Sequence, residues 1–296
     1  MVKLDKVKWG FIGCGEVTEK KSGPAFALIE GSEVVAVMSR DKEKAQSYAK
    51  RHNIPRWYSD PQQLIGDEDV NAIYIATPPS SHATFAIMSM KAGKPVYIEK
   101  PMAASYEDCA RINRISQETG IPCFVAYYRR YLPYFQSAGR LGETYLYVDD
   151  IAYFSVLYHL DLLQDMFGCI LEAQGYKSNR GGLYPAEDTI SACFKFDSGL
   201  PGSGSWCFVA HESAKEDRIE IIGDKGMICF SVFTYDPIAL HTERGREEFL
   251  PENPPHVQLP LIKAVVEHLQ GKAVCTCDGI SATPTNWVMD RILDKL

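Results

Sequence analysis

Five short apolar runs, with helical stretches between them, fill the first 126 residues and leave little choice of fold. The runs at 7–12, 34–38, 72–76, 96–99 and 123–126 are rich in β-branched and aromatic residues, the pattern of strands covered on both faces. Between them, Asp41 precedes a helical stretch over 42–52, and Ser59-Asp60-Pro61 sets a cap and then a proline at a first turn. Ser105-Tyr106-Glu107-Asp108 is a capping-box pattern that opens a helix over 106–119, and Gly120 stops it. This alternation predicts an α/β Rossmann-type domain over 1–121, a parallel sheet with helices on both faces.

After residue 121 strand signals dominate, at 143–153, 172–178, 189–196, 204–209, 218–222 and 226–230. Asp197-Ser198-Gly199 and Gly223-Asp224-Lys225-Gly226 suit hairpin turns. Helical stretches at 154–167, 257–270 and 282–293, with a proline-rich connector at 251–260, complete an α+β domain over 122–296. The chain is 46% hydrophobic and 23% charged, enough to build a core for each domain. A formal charge of −7 without basic runs argues against nucleic acid and anionic membrane as partners, and no apolar stretch has the length of a membrane span. Asp5 and Lys8 interrupt any secretory pattern at the start. Nine cysteines with no Cys-x-x-Cys read as reduced thiols of a cytoplasmic protein, and Cys275-x-Cys277 lacks the neighbours a metal site needs.

Two segments carry the chemistry. Gly13-Cys14-Gly15-Glu16-Val17 follows the first strand, where glycines permit a tight turn and let the backbone approach a dinucleotide pyrophosphate; Thr18 stands where a third glycine is usual. Glu99-Lys100-Pro101 ends another strand. In a parallel sheet both segments reach the same edge, where ligands bind. An amine partly removed from water can give or take a proton, as hydride transfer at a carbinol carbon requires, and Glu99 is placed to hydrogen-bond a nicotinamide ribose. The Lys100–Pro101 bond is a candidate cis peptide. The second strand ends in Ser39-Arg40, without the acid that would repel a 2′-phosphate, which favours NADP over NAD; Asp41 reads as a helix cap. The loop from Thr77 and Pro78 to His82 lies at the same edge beside the cofactor, with Ser80 or Ser81 as an expected N-cap.

The glycine turn, Ala76-Thr77-Pro78-Pro79, Glu99-Lys100-Pro101 and Tyr127-Tyr128-Arg129-Arg130, in this order, resemble the Gfo/Idh/MocA family of glucose–fructose oxidoreductase and inositol dehydrogenase. The resemblance spans the chain. It implies a Rossmann domain, then a domain with a large open, mostly antiparallel sheet through which chains form homo-oligomers. It also implies NAD(P)-dependent oxidation or reduction of a sugar, cyclitol or related polyol. By the family pattern Lys100 is catalytic, Glu99 and His82 lie near the nicotinamide, and Arg129 or Arg130 lies near the nicotinamide or substrate. The chain departs from that pattern where members carry Asp, His four residues on, and Asp three further. Alignment on Asp161 puts Phe154 and Tyr158 at the first two places, and His159 is one residue off, a rotation of about 100° on a helix. Tyr158, His159 and Asp161 are therefore the candidate acid–base groups, with a core histidine as the other reading of His159. The departure also motivates two alternatives: a catalytically silent cofactor-binding or interaction protein, and a glycosidase that uses transient redox by bound NAD.

Overall fold

The computed structural model describes residues 3–141, the backbone of 146–147, and 156–296. The chain divides into two compact units, residues 1–128 with 254–286, and residues 129–253 with 287–296.

The first unit is built on six parallel strands: β1 (Val7–Ile12), β2 (Ser32–Met38), β3 (Arg56–Tyr58), β4 (Ala72–Ile75), β5 (Val96–Ile98) and β6 (Cys123–Val125). Their order is β3-β2-β1-β4-β5-β6. Growth runs from β1 to β3 and then reverses, with β4 added on the other side of β1, so right-handed crossovers place helices on both faces and open a crevice beyond the carboxyl ends of β1 and β4. The connecting helices are α1 (Gly23–Ala27), α2 (Lys42–Arg51), α3 (Pro61–Gly66), α4 (His82–Lys91) and α5 (Tyr106–Thr119). The expected caps at Asp41, Asp60 and Ser105 all make their side-chain bonds, and Gly120 ends α5 in the left-handed region. Trp9, Phe11, Phe26, Tyr74 and Tyr97 form the buried aromatic centre, meeting edge-on or tilted at 4.8–6.5 Å, apart from the stacked Tyr74–Tyr97 pair.

The second unit begins with α6 (Pro133–Leu141), followed by β7 (Leu146–Tyr147) and α7 (Val156–Phe167). Its remaining strands are β8 (Ile170–Ser178), β9 (Thr189–Phe196), β10 (Pro201–Cys207), β11 (Ile219–Gly223), β12 (Gly226–Phe230), β13 (Ile238–Thr242) and β14 (Gly245–Phe249). Among the described residues these form antiparallel sheets of three strands, β10-β9-β8, and five, β14-β13-β12-β11-β7. In β9, Ile190, Ala192, Phe194 and Phe196 are buried while Ser191, Cys193 and Lys195 face outward, the period of two that marks a half-covered sheet. Most of the expected strand at 143–153, and Phe154, lie outside the described residues.

Two helices close the chain, α8 (Leu259–Leu269) and α9 (Gly279–Ile292). The partition differs from a single cut after residue 121. β6 pairs with β5, so it extends the parallel sheet. Residues 254–286 return to the first unit: Leu4 N–H donates to Leu269 O at 2.8 Å, Val125 N–H to Cys277 O at 3.1 Å, and the buried face of α8 carries Leu261, Ile262, Val265, Val266 and Leu269. Strands β3, β13 and β14 have no counterpart in the sequence expectation. The first has three residues, and Gly-Arg-Glu-Glu-Phe in β14 is a charged, exposed edge with no apolar alternation.

Candidate active site

Three loops leave the first sheet side by side. Ile12 of β1, Ile75 of β4 and Ile98 of β5 stand in register, so residues 13–17, 76–82 and 99–101 emerge from neighbouring strand ends. Gly13 has φ +113°, and a Cβ there would lie 2.6 Å from Ala76 O, so this glycine serves the close approach of two loops. At Gly15 a Cβ would meet nothing within 4 Å. Cys14 points inward: its thiol is 3.6 Å from Met38 O, and burial pushes its pKa up to about 12, so only its backbone belongs to the turn's outer face. Thr18, in the third-glycine place, is fully buried and donates from Oγ1 to Gly15 O at 2.9 Å. A π-helical turn, Val17–Lys21, and the short α1 follow, and exposed Glu16 pairs with Lys20 at 3.4 Å.

At the end of β2, Ser39 Oγ accepts from Asp41 N–H at 3.3 Å, and Asp41 caps α2 by accepting from Lys44 N–H at 3.0 Å. Arg40 is exposed. The cap reading of Asp41 is met; the expected serine cap of α4 is not. Ser81 already has helical backbone angles, so its hydroxyl turns back to Pro78 O and Thr77 Oγ1, both at 2.8 Å.

His82, fully buried, has Nε2 2.7 Å from Thr77 O and Nδ1 2.9 Å from Pro101 O. Both ring nitrogens thus face backbone carbonyls, to one of which the neutral ring donates, and the ring sits between the Thr77 loop and the Glu-Lys-Pro loop. Burial holds its pKa below the ordinary histidine value, against the opposing pull of the two carbonyls and Glu99. The Lys100–Pro101 bond is cis. Lys100 is half-buried, and its N–H donates to Glu99 Oε2 at 3.3 Å. Glu99 is buried, and its Oε1 accepts from Tyr74 Oη at 2.6 Å and Gln258 Nε2 at 2.9 Å. Burial, then the adjacent Glu99, raises both the Tyr74 and Tyr97 phenols well above their usual range, so they stay protonated donors. Neither Gln258 nor the two tyrosines figured in the sequence expectation. A tyrosine inside a doubly covered strand needs a partner for its hydroxyl, which was the available signal for Tyr74 and Tyr97; Gln258, in a proline-rich connector, offered none.

The remaining candidates lie in the second unit and meet one another. Arg130 Nε donates to Asp161 Oδ2 at 2.9 Å, a second bond joins Nη2 to Oδ1, and both side chains are buried. Asp161 is therefore a counter-ion of Arg130, with Asp165 3.7 Å from the same guanidinium, and this pairing competes with the expected acid–base role. The Arg129 guanidinium lies 3.8 Å over the Tyr158 ring and 4.8 Å from that of Phe233, while its Nε donates to Val232 O at 3.1 Å. Asp217 accepts from the N–H groups of Val232, Phe233 and Thr234 and so fixes the loop that carries this sandwich. His159 is fully buried against Trp206 and Phe233, with Nε2 4.0 Å from Asp217 Oδ1, an arrangement that supports the core reading.

Residues 7–127 match the sequence profile of an oxidoreductase family with an NAD-binding Rossmann fold, and residues 128–229 match that of the GFO/IDH/MocA C-terminal domain. The chain belongs to the GFO/IDH/MocA oxidoreductase family. It is 30% identical to an oxidoreductase of Formosa agariphila across 96% of this chain and 98% of that one. A scyllo-inositol 2-dehydrogenase (NAD(+)) of Bacillus subtilis is 28% identical over 46% of this chain and 40% of its own length. Among solved structures, an oxidoreductase from Agrobacterium radiobacter in complex with NAD+, L-tartaric acid and magnesium superposes with a TM-score of 0.87 at 18% identity, covering 98% of this chain and 96% of that one. This GFO/IDH/MocA member is thus an NAD(P)-binding oxidoreductase with the Rossmann-plus-antiparallel architecture of its family. The structure fits the dinucleotide on its own terms: the turn after β1 presents bare backbone to open space at Gly15, at the point where strand order reverses.

Proposed function

We propose that this chain oxidises or reduces a carbinol or carbonyl carbon of a sugar, cyclitol or related polyol, with NADP preferred to NAD. The observation that carries the reading is the alignment of Ile12, Ile75 and Ile98, which brings the open turn at Gly15 and the Glu99-Lys100 strand end to one sheet edge. Bound nicotinamide would supply or accept the hydride. The backbone of Gly13–Val17 holds the pyrophosphate. Ser39 and Arg40 take the adenosine ribose and its 2′-phosphate, and Thr77 and Pro78 line the neighbouring ribose–phosphate portion. Glu99 accepts from the nicotinamide ribose, and Lys100 moves the proton of the substrate oxygen. His82 acts by bracing two loops. Arg129, in its aromatic sandwich with Tyr158, is the substrate-side cation of the second unit, and Arg130–Asp161 supports it. Like chains associate through the exposed face of the three-stranded sheet, where Tyr176, Ser191 and Ser205 stand in register. All nine cysteines are free thiols, which supports a reducing, cytoplasmic setting, and among the described residues no helix is long and apolar enough to cross a membrane.

The test is a nicotinamide-fluorescence titration with NADPH and NADH, then a polyol and sugar screen on wild type and Lys100→Met. The expected result is tighter NADPH binding, and turnover lower by at least about 100-fold in Lys100→Met with cofactor affinity kept within a few-fold. Absence of binding by either cofactor sinks the reading. Cofactor retained through purification, without net turnover of added cofactor, moves it to the redox glycosidase.

A further inference from the structure

A line of polar side chains runs through the apolar centre of the first unit. Ser22 Oγ is 3.2 Å from Val17 O, in the segment after the glycine turn, and 2.7 Å from Tyr74 Oη. Tyr74 meets Glu99 Oε1, which also takes Gln258 Nε2, and Gln258 Oε1 accepts from Tyr97 Oη at 3.4 Å. Every member is buried: Ser22, Tyr74 and Tyr97 at 0% exposure, Gln258 at 3% and Glu99 at 7%. Burying so many polar groups is unfavourable unless each is satisfied, and apolar side chains of the same shape would fill the space at lower cost. The amide orientation follows from the partners: turned over, Gln258 would set a carbonyl oxygen against the Glu99 carboxylate.

Both donors land on one oxygen. With Oε1 taken by Tyr74 and Gln258, Oε2 is the oxygen left toward the loop, where it receives the Lys100 N–H. We infer that Gln258 and Tyr74 are positioning residues that turn the Glu99 carboxylate so that Oε2 receives the nicotinamide ribose, and that residue 258 must be a neutral donor for the cofactor to bind. The inference rests on the proposed role of Glu99.

The experiment measures the dissociation constant of the preferred reduced cofactor by fluorescence from pH 5.5 to 8.5, with circular dichroism alongside. Gln258→Glu keeps the shape but donates only while protonated. Facing Glu99, it shares one proton at low pH and repels at high pH, as paired carboxyls do. Its affinity should approach wild type at pH 5.5 and be weaker by about tenfold or more at pH 8.5, whereas Gln258→Leu weakens binding evenly across the range. A merely structural glutamine would not create that pH dependence. A Gln258→Glu profile that tracks wild type within about twofold throughout overturns the inference. Should that variant fail to fold, Tyr74→Phe decides: a several-fold rise in the constant supports the inference, and an unchanged one overturns it. Failure of the wild type to bind either cofactor is a different result and strikes the proposed function instead.

Discussion

The sheet edge of the first unit and the α7 cluster of the second both gather polar side chains and employ them in opposite ways. At the edge, Gly15 offers bare backbone to open space, Arg40 is exposed, and the buried Glu99 is held from behind by neutral donors. In the α7 cluster the charges are closed in: Arg130 by the Asp161 carboxylate, and Arg129 by two aromatic rings. Polar groups on loops past strand ends stay available to a ligand, whereas charges on a buried helix face are absorbed by the fold that contains them.

The largest effect that can break this contrast is at Asp161. Asp161→Ala removes the two-bonded partner of buried Arg130 while Asp165 stays 3.7 Å away, and should cost about 2–3 kcal/mol in denaturant unfolding, and Asp161→Leu combined with Arg130→Met should recover most of it. If Asp161→Ala instead lowered only kcat at unchanged stability, Asp161 would regain its acid–base role and the two regions would cease to differ. Next in size is the pair of glycines. Gly13→Ala meets both a positive φ and the Ala76 carbonyl, so it should lose roughly 1–3 kcal/mol of stability. Gly15→Ala should leave the melting temperature alone and weaken cofactor binding about tenfold by filling the approach to the backbone. Equal behaviour of the two variants would show that the space at Gly15 is not a ligand's.

The smallest effect lies outside both regions. His268 Nδ1 accepts from Cys275 N–H at 3.1 Å, and burial holds its pKa below the ordinary 6.5. The folded chain thus prefers the neutral ring. The contribution is complete above 6.5 and is lost as pH falls from there toward the lower folded-state value, because the unfolded chain takes up the proton first. The ring is only partly buried, so the loss should be well under about 1 kcal/mol. Thermal unfolding between pH 7.5 and 5 should show slightly less acid sensitivity in His268→Asn than in wild type; identical slopes would assign that sensitivity to another group.

What could be read in advance follows from how far apart the interacting residues are. The glycine turn, the Asp41 cap, the capped α5 and the Glu-Lys-Pro strand end are each written within a few consecutive residues, and all stand where their local chemistry puts them. The bond from Gln258 to Glu99 spans 159 positions and that from Arg130 to Asp161 spans 31; no local pattern announces either. His159 shows the same limit on one helix: the resemblance set it one residue from a catalytic place, while the Trp206 and Phe233 rings that pack against it come from far along the chain. The edge strand β14 was invisible for another reason, since its exposed charges protect a sheet margin and carry no apolar alternation.

The return of residues 254–286 to the first unit also orders events on the ribosome. When Tyr128 emerges, Leu4, Glu99 and Val125 still lack the partners that Leu269, Gln258 and Cys277 provide. At roughly 5–20 residues per second, those partners follow on the order of ten seconds later. For that interval the nascent cofactor domain is an incomplete body with a buried-to-be carboxylate open to water, and the second unit, which takes residues 287–296, is completed later still. A stop codon before residue 254 would therefore do more than shorten the second unit; it would remove the residues that pair with Leu4, Glu99 and Val125 in the first.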